Sequence, residues 1–458
     1  MKPVTLQTAA EFCEGKLLAG DGSQIVSRIN TDSRNILPGD VFVALVGDKF
    51  DAHDFIRQVV HAGVVAVIVS RAPENAASLG CAVILVKDTL LALQKLACHQ
   101  RRLINPLVIG ITGSNGKTST KDFTAAAMSG QYRVCATTGN LNNHIGLPLT
   151  ILGMNAEQNC AVLEMGMNHA GEIAALAAIA EPNAAIITNI GVAHIENLGS
   201  REAIAREKGA LAEAVPADGL VVLHANDEFT PAIQSRCRAK VLTAGVNRGD
   251  VKATILESAA QGSRFNLDFA GSSRIDAFLP FPGEHMVANA ALAAACAWHH
   301  GVSPEAIASN LGRANLSKGR VQVKTVRGII FLDDSYNANP DSMKAGISTL
   351  AGMKTRGRRI AVLGRMGELG THAAEGHREV GAFAARTGLD AVFTVGEEAA
   401  QITDAASAER PDMTLKNFTD RAQCAATLRN WLREGDAVLL KGSRSAGMEQ
   451  VLEYLESA

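Results

Sequence analysis

The residues best able to do chemistry in this chain are Gly113-Ser114-Asn115-Gly116-Lys117-Thr118-Ser119. Two glycines allow a tight turn whose backbone N–H groups converge on an anion. A lysine beside them reaches terminal phosphates, and the threonine hydroxyl can ligate Mg²⁺. The general phosphate-loop pattern has four residues between its first glycine and Gly-Lys. Here Gly113 is followed by only Ser114 and Asn115, and Gly110 sits one residue too early to restore the spacing. A glycine turn with a chance Lys-Thr is the competing reading. It is disfavoured because 107–111 is a β-branched apolar run expected to form a buried strand, while Lys117 opens a helical pattern that continues to Ala127. Strand, turn and helix fall in the order that nucleotide binding demands.

Further reactive side chains sit where strands are expected to end. Glu164 closes the apolar run 160–164, and His194 closes the segment that starts at Ala185. Each alone reads equally well as an ordinary strand-end residue, but in one parallel sheet the two should be neighbours and Mg²⁺ ligands. Lys208 lies four residues after Ile204 and three before Leu211, on their apolar helix face. A lysine there ordinarily snorkels to water. Held inward near magnesium, its amine would have a depressed pKa and would be open to conversion into a carbamate, in effect a carboxylate ligand. Asn289 lies on an Ala-rich helix and faces either a nucleotide base or solvent. Arg320 precedes one expected strand and Asp334 follows the next, in reach of phosphate and ribose. Lys441 and Arg444 place two cations at another strand end, as a carboxylate or phosphate clamp or as a solvated loop. Thr31-Asp-Ser33-Arg34 and Gly47-Asp-Lys49-Phe-Asp-Ala-His53 read first as solvated loops, with a second phosphate-bearing ligand as the functional alternative.

Positioning these groups takes several domains, and 458 residues suffice for about three. The expected units are 1–85, 86–314 and 315–458. In the first, Thr8-Ala-Ala-Glu11 suggests a capping box, with strands at 41–45, 64–69 and 82–86 and a helix over 53–62. A helix over 89–105 connects to the second unit, whose strands at 107–111, 133–136, 160–164, 184–189, 220–224 and 240–242 predict a doubly wound, mostly parallel sheet. Segments 251–257, 264–269 and 274–279 read as an antiparallel appendage, followed by helices over 285–300 and 303–311. The third unit is α/β again, opening with a hairpin at Arg327-Gly328, with later strands at 359–363, 391–395, 414–418 and 437–440.

A net charge of −2 gives no electrostatic reason to bind nucleic acid or an anionic membrane, and two Trp with three Tyr leave little for base stacking. Eight scattered cysteines without a Cys-x-x-Cys pair read as small core residues in a reducing compartment. With no apolar run of membrane-spanning length and a polar amino terminus, a cytoplasmic protein without membrane insertion is expected.

Taken together and in order, several stretches resemble the Mur ligases, ATP-dependent amide-forming enzymes of peptidoglycan synthesis. They are the two N-terminal polar loops, Thr138-Gly-Asn-Leu-Asn-Asn-His-Ile-Gly-Leu-Pro148, Glu164-Met-Gly-Met167, Asp334-Ser-Tyr-Asn-Ala-Asn-Pro340 and Lys441-Gly-Ser-Arg444. The resemblance covers nearly the whole chain, and the short phosphate loop is the usual form in that family. It implies a small N-terminal α/β domain, a central ATP-binding domain and a C-terminal Rossmann-like α/β domain. It further implies that Ser33, Arg34, Gly47, Lys49 and His53 hold the UDP part of a substrate. ATP would lie against Gly113 to Ser119, Asn289, Arg320 and Asp334, with Lys117 on its β/γ-phosphates. Thr118, Glu164 and His194 would surround Mg²⁺, joined by Lys208, which matches a position that family members carbamylate. Thr138, Asn142, Asn143, Tyr336, Asn337, Asn339, Lys441 and Arg444 would lie near the peptide substrates. No Asp-Asn-Pro-Arg segment is present. That favours UDP-N-acetylmuramoyl-tripeptide and D-alanyl-D-alanine as substrates over the diaminopimelate- or lysine-adding alternative. A folylpolyglutamate-synthase-like enzyme is opposed by the N-terminal unit, and a regulatory ATPase that joins nothing has little use for two flanking domains. A monomer is expected.

Overall fold

The computed structural model describes residues 1–47 and 49–457; Asp48, within the expected 47–53 loop, lies outside the described residues, and Lys49, expected at a phosphate-bearing ligand, is exposed. Among them, three larger sheets carry the architecture. The N-terminal sheet has the order Lys16–Ala19, Ala82–Leu85, Ala66–Val69, Val41–Val43, Ile29–Asn30, parallel except for its first strand. The helix expected to start at a Thr8 capping box instead runs over Leu6–Phe12, with Thr5 as its N-cap accepting from the Thr8 amide. Leu6 is buried, so the first turn must already be helical for that side chain to reach the core. The helix expected over 53–62 begins as a 3₁₀ turn, Ala52–Phe55, because Asp51 captures the His53 amide, and becomes α-helical over Ile56–His61.

The central sheet has nine strands: Ser273–Leu279, Gly262–Phe269, Val251–Ala259, Lys240–Val246, Leu220–His224, Ala184–Ile187, Leu107–Thr112, Cys160–Glu164 and Val134–Ala136, in that order. The segment expected to form a separate antiparallel appendage is a continuation of this sheet. Its first strand pairs in parallel with Lys240–Val246, and the direction reverses only at the next two. Strand residues alternate between two cores. Val108 and Leu163 pack with Leu96, Ile173 and Ile204 of the helices on one face, while Ile109, Ile111 and Val162 pack with Phe123 and Leu292 on the other. Helix Glu284–His299 is buried over most of its length because its alanines let its backbone lie close against the sheet. Leu107–Thr112 is flanked by Cys160–Glu164 on one side and Ala184–Ile187 on the other. The loops beyond its carboxyl end therefore leave toward opposite faces, which is where ligands of such sheets bind.

The third sheet has the order Gln322–Val326, Ile329–Asp334, Ala437–Lys441, Arg359–Gly364, Ala391–Val395, Thr414–Phe418. Its first two strands form the expected antiparallel hairpin, turned by Arg327 and Gly328 with φ of 52° and 74°, and the rest are parallel. Asp436, 2% exposed, anchors this sheet by accepting from the amides of Arg358 and Arg433 and from the Arg358 guanidinium at 2.7 Å. Burial pushes its carboxyl up, but the bonds from Arg358 and Arg433 prevail and hold it below its ordinary 3.8. Its stabilisation is thus present above 3.8 and fades as pH falls through the lowered folded value. Asp436→Asn is expected to cost about 1.5–3 kcal/mol at neutral pH, read by urea unfolding, with the gap to the wild type narrowing in acid. No helix among the described residues is long and apolar enough to cross a membrane.

Candidate active site

A cavity of about 340 Å³ opens at the carboxyl end of Leu107–Thr112, between the central and C-terminal sheets. It brings together Ser114 to Ser119, His194, Asn289, Arg320, Asp334, Asn337, Asn339 and Lys441 from the expected set. The loop needs both its glycines. Gly113 has φ of 153°, and a Cβ there would run into Thr188; Gly116 has φ of 77°, and a Cβ would sit 2.7 Å from the Asn289 amide. The loop's far wall is Asn189 to Gly191, which the sequence did not disclose. The Asn189 side chain accepts from the Asn115 amide at 2.9 Å and donates to the Asn115 carbonyl at 3.0 Å, and the Gly191 amide donates to Ser114 Oγ at 2.8 Å. The polar pair Thr188-Asn189 directly after an apolar strand was the available signal.

Lys117 folds back over the loop, its Nζ donating to the Gly113 carbonyl at 2.8 Å. Its flank faces the cavity, but the surrounding protein desolvates the ammonium and lowers its pKa; Arg320 adds to this, and Glu164 and Glu368 oppose it. Arg320 donates to Thr118 Oγ1 at 3.1 Å and lies 4.2 Å over the Tyr336 ring, which holds the guanidinium against the loop. Asn339 caps the helix Pro340–Gly352 and also donates to Asn115 Oδ1 at 2.8 Å, tying the C-terminal unit to the phosphate loop.

Lys441, expected as half of a carboxylate or phosphate clamp or in a solvated loop, is 2% exposed and ion-paired to Asp334 at 2.5 Å, with a further bond to the Asn337 carbonyl. Strand register explains this: Asp334 and Lys441 are direct partners on neighbouring parallel strands. Arg444, the other half of the expected clamp, is exposed and pairs with Glu449 at 3.1 Å. His285 also lines the cavity, and enclosure by protein pulls its pKa to about 4, Asp334 opposing and Lys441 reinforcing the shift. It is uncharged at neutral pH.

Glu164 is 3% exposed. Its Oε1 accepts from Asn142 at 2.8 Å, its amide donates to Thr137 Oγ1, and its Oε2 is buried without a partner. Glu164 was the expected neighbour of His194, but the contact His194 makes is with Glu368, whose Oε2 lies 2.9 Å from Nδ1. That approach lies off the hydrogen-bond axis, since Nδ1 has no in-line partner. His194 does not end a strand either; the strand stops at Ile187, and His194 takes φ of 64° ahead of the turn Ile195–Leu198. Lys208 does not snorkel. At 1% exposure its amine is desolvated and its pKa lies well below 10.5, with Lys117 lowering it further and Glu207 opposing. Glu207 is turned to the amides of Gly171 and Ile173, at 2.8 and 2.9 Å.

The N-terminal candidates stand apart from the cavity. Ser33 is half-buried, and Arg34 is exposed and paired with Asp32. The Gly47 amide closes a turn on Phe50. His53 has both ring nitrogens engaged, Nδ1 with Asp51 at 2.6 Å and Nε2 with the Ser70 amide at 3.0 Å, so it orders this loop. Asn143 caps the Ile145 and Gly146 amides, and Thr138 is exposed beside it.

Three family models match the chain: "Mur ligase family, catalytic domain" over residues 25–101, "Mur ligase middle domain" over 111–297 and "Mur ligase, glutamate ligase domain" over 319–444. The UDP-N-acetylmuramoyl-tripeptide–D-alanyl-D-alanine ligase of Bacillus subtilis is 37% identical over 459 residues, covering 98% of each chain. MurF from Acinetobacter baumannii superposes with a TM-score of 0.92 at 34% identity, over the whole of both chains. The MurF ligase of Thermotoga maritima, solved in complex with ADP, gives a TM-score of 0.84 at 29% identity, covering 94% of this chain and 97% of that one.

Proposed function

The chain belongs to the Mur ligase family, and from that premise we propose that it joins D-alanyl-D-alanine to UDP-N-acetylmuramoyl-tripeptide with cleavage of ATP to ADP and phosphate. The observation that carries this reading is a phosphate-loop lysine lining a cavity shared by the central and C-terminal sheets, in a chain alike from end to end to ligases of that name. In the reaction, the terminal carboxylate of the tripeptide attacks the γ-phosphate of ATP, ADP leaves, and an acyl phosphate forms. The dipeptide amine then attacks the acyl carbon and phosphate departs. Lys117 carries positive charge to the transferring group, and Arg320, braced by Tyr336, adds a second cation. Asn289, packed on Gly116, sets where the nucleotide rests against the loop.

The residues present fit Mg²⁺. The Thr118 hydroxyl, the Glu164 carboxylate and the His194 ring would hold it, and the buried Glu164 Oε2 without a partner is the observation that fits a hard divalent cation. When bound, the ion neutralises charge on the phosphates. The neutral amine of buried Lys208 is the form that can take up CO₂ as a carbamate, adding a negative group near Lys117.

We assign residues 1–85 to the UDP-substrate unit, with Ser33, Arg34 and the 47–53 loop at its binding face, 86–314 to the ATP unit and 315–458 to the unit that receives the dipeptide beside Tyr336, Asn337 and Lys441. The peptide of the nucleotide substrate approaches past Thr138, Asn142 and Asn143. The enzyme is proposed to act as a monomer in the cytoplasm, where ATP and the nucleotide-linked precursor are found. The test is phosphate release from ATP, Mg²⁺ and UDP-N-acetylmuramoyl-tripeptide as the added amine is varied. Release dependent on D-alanyl-D-alanine is expected. Release supported instead by diaminopimelate or lysine on the dipeptide-stage precursor, or release that needs no amine, would overturn the assignment.

A further inference from the structure

Glu368 belongs to no stretch that the sequence singled out, yet its side chain reaches from the C-terminal unit across the cavity to His194 at 2.9 Å. Both residues have left-handed backbone, φ 60° for Glu368 and 64° for His194, a conformation that non-glycine residues hold only when their surroundings impose it. The contact is one of a set. Asp341, in the first turn of Pro340–Gly352, accepts from the Val192 amide at 3.2 Å. Gly191 passes so close to that carboxylate that a Cβ there would collide with it. Gly370, two residues past Glu368, packs on Glu196. The segment 190–196 is in turn fastened to the phosphate loop through Gly191 and Ser114, and to Asp227 through the Ile190 amide.

We propose that Glu368 is a positioning residue. With Asp341, it grips the Gly191–His194 turn when the C-terminal unit is seated, and so couples that seating to the order of the phosphate loop and the orientation of the His194 ring. This rests on the ligase reading given above. It predicts a particular failure. If the grip loosens, the C-terminal unit leaves the cavity more often while an acyl phosphate is present. Water then attacks the acyl carbon in place of the dipeptide amine, phosphate leaves, and the tripeptide carboxylate is regenerated.

The measurement is the ratio of phosphate released to dipeptide joined, with both substrates saturating. The ratio is one for the wild type and is expected to rise severalfold in Glu368→Ala, with kcat for ligation falling. A contribution to folding alone would lower the amount of active enzyme and leave the ratio at one. Small-angle scattering of the full chain, with substrate and a non-hydrolysable ATP analogue, should show Glu368→Ala less compact than the wild type. A ratio of one with wild-type compactness overturns the proposal. Should Glu368→Ala not fold, Glu368→Gln keeps the side-chain shape, and a ratio of one there overturns it equally. Wild-type enzyme that releases no dipeptide-dependent phosphate would instead count against the ligase reading.

Discussion

Lys117→Ala is expected to lower phosphate release by about a thousandfold or more while leaving the melting temperature unchanged. Phosphoryl transfer asks a protein for little covalent chemistry; positioning and charge supply the acceleration, so removing the cation aimed at the transferring group removes much of it. The geometry makes this lysine hard to replace. Its Nζ is held by the Gly113 carbonyl, and its flank faces the cavity, so the charge is already in place and needs no rearrangement. The surrounding protein makes that charge costly in the resting chain, as its lowered pKa records, and an incoming polyphosphate supplies the partner it lacks. Loss of Lys117 relieves a desolvated cation at the same time as it gives up a bond to Gly113, and the two effects on stability oppose each other. Lys117→Arg should not restore activity, because the planar guanidinium is bulkier than an ammonium folded back over Gly113. Turnover of Lys117→Ala near that of the wild type, in a matched thermal and phosphate-release comparison, would sink the role given to the loop.

Much of this site was legible in the sequence because phosphate chemistry leaves local traces. The strand, the glycine turn and Lys-Thr are contiguous, so Gly113 to Ser119 could be found without tertiary information. Residues that act across the chain left fainter traces. Glu368 sits in a loop and Asp341 in the first turn of a helix, both types ordinary for a surface, and their importance comes from facing a turn of the central unit at Gly191 to His194. Lys441 shows what sequence alone leaves out. Its type and strand-end place suggested a carboxylate or phosphate clamp or a solvated loop, and only strand register reveals that it stands opposite Asp334 as an ion pair. His53 was picked out as part of a polar cluster, and its ring nitrogens turn out to be used by Asp51 and Ser70. The continuity of the nine-stranded sheet was hidden for a related reason. A parallel pairing of neighbouring strands such as Lys240–Val246 and Val251–Ala259 has no turn signature to announce it.

Lys208→Met is expected to separate activity from stability in the opposite sense to most core substitutions. Lys208 is nearly inaccessible, on the helix face that carries Ile204 and Leu211, and its pKa lies well below 10.5 chiefly through desolvation. Because the unfolded chain binds that proton more readily than the folded one, the wild type loses stability as pH falls from 10.5 toward the lowered folded value. Methionine fills a similar volume and carries no amine to desolvate. The variant should therefore unfold at higher urea, by about 1–4 kcal/mol, with the gain largest in acid and shrinking as pH approaches the ordinary lysine range. Ligation should fall by about a hundredfold or more, since methionine can neither take up CO₂ nor present a charged group toward Lys117. Glu207 cannot take over, because its carboxylate is committed to the amides of Gly171 and Ile173. A variant that is more stable and still fully active would reduce Lys208 to a buried core residue, and one that is less stable would mean the amine has a partner that burial alone does not reveal. The combination expected here, a firmer fold with lost turnover, is what a group kept in an unfavourable place for its chemistry should give.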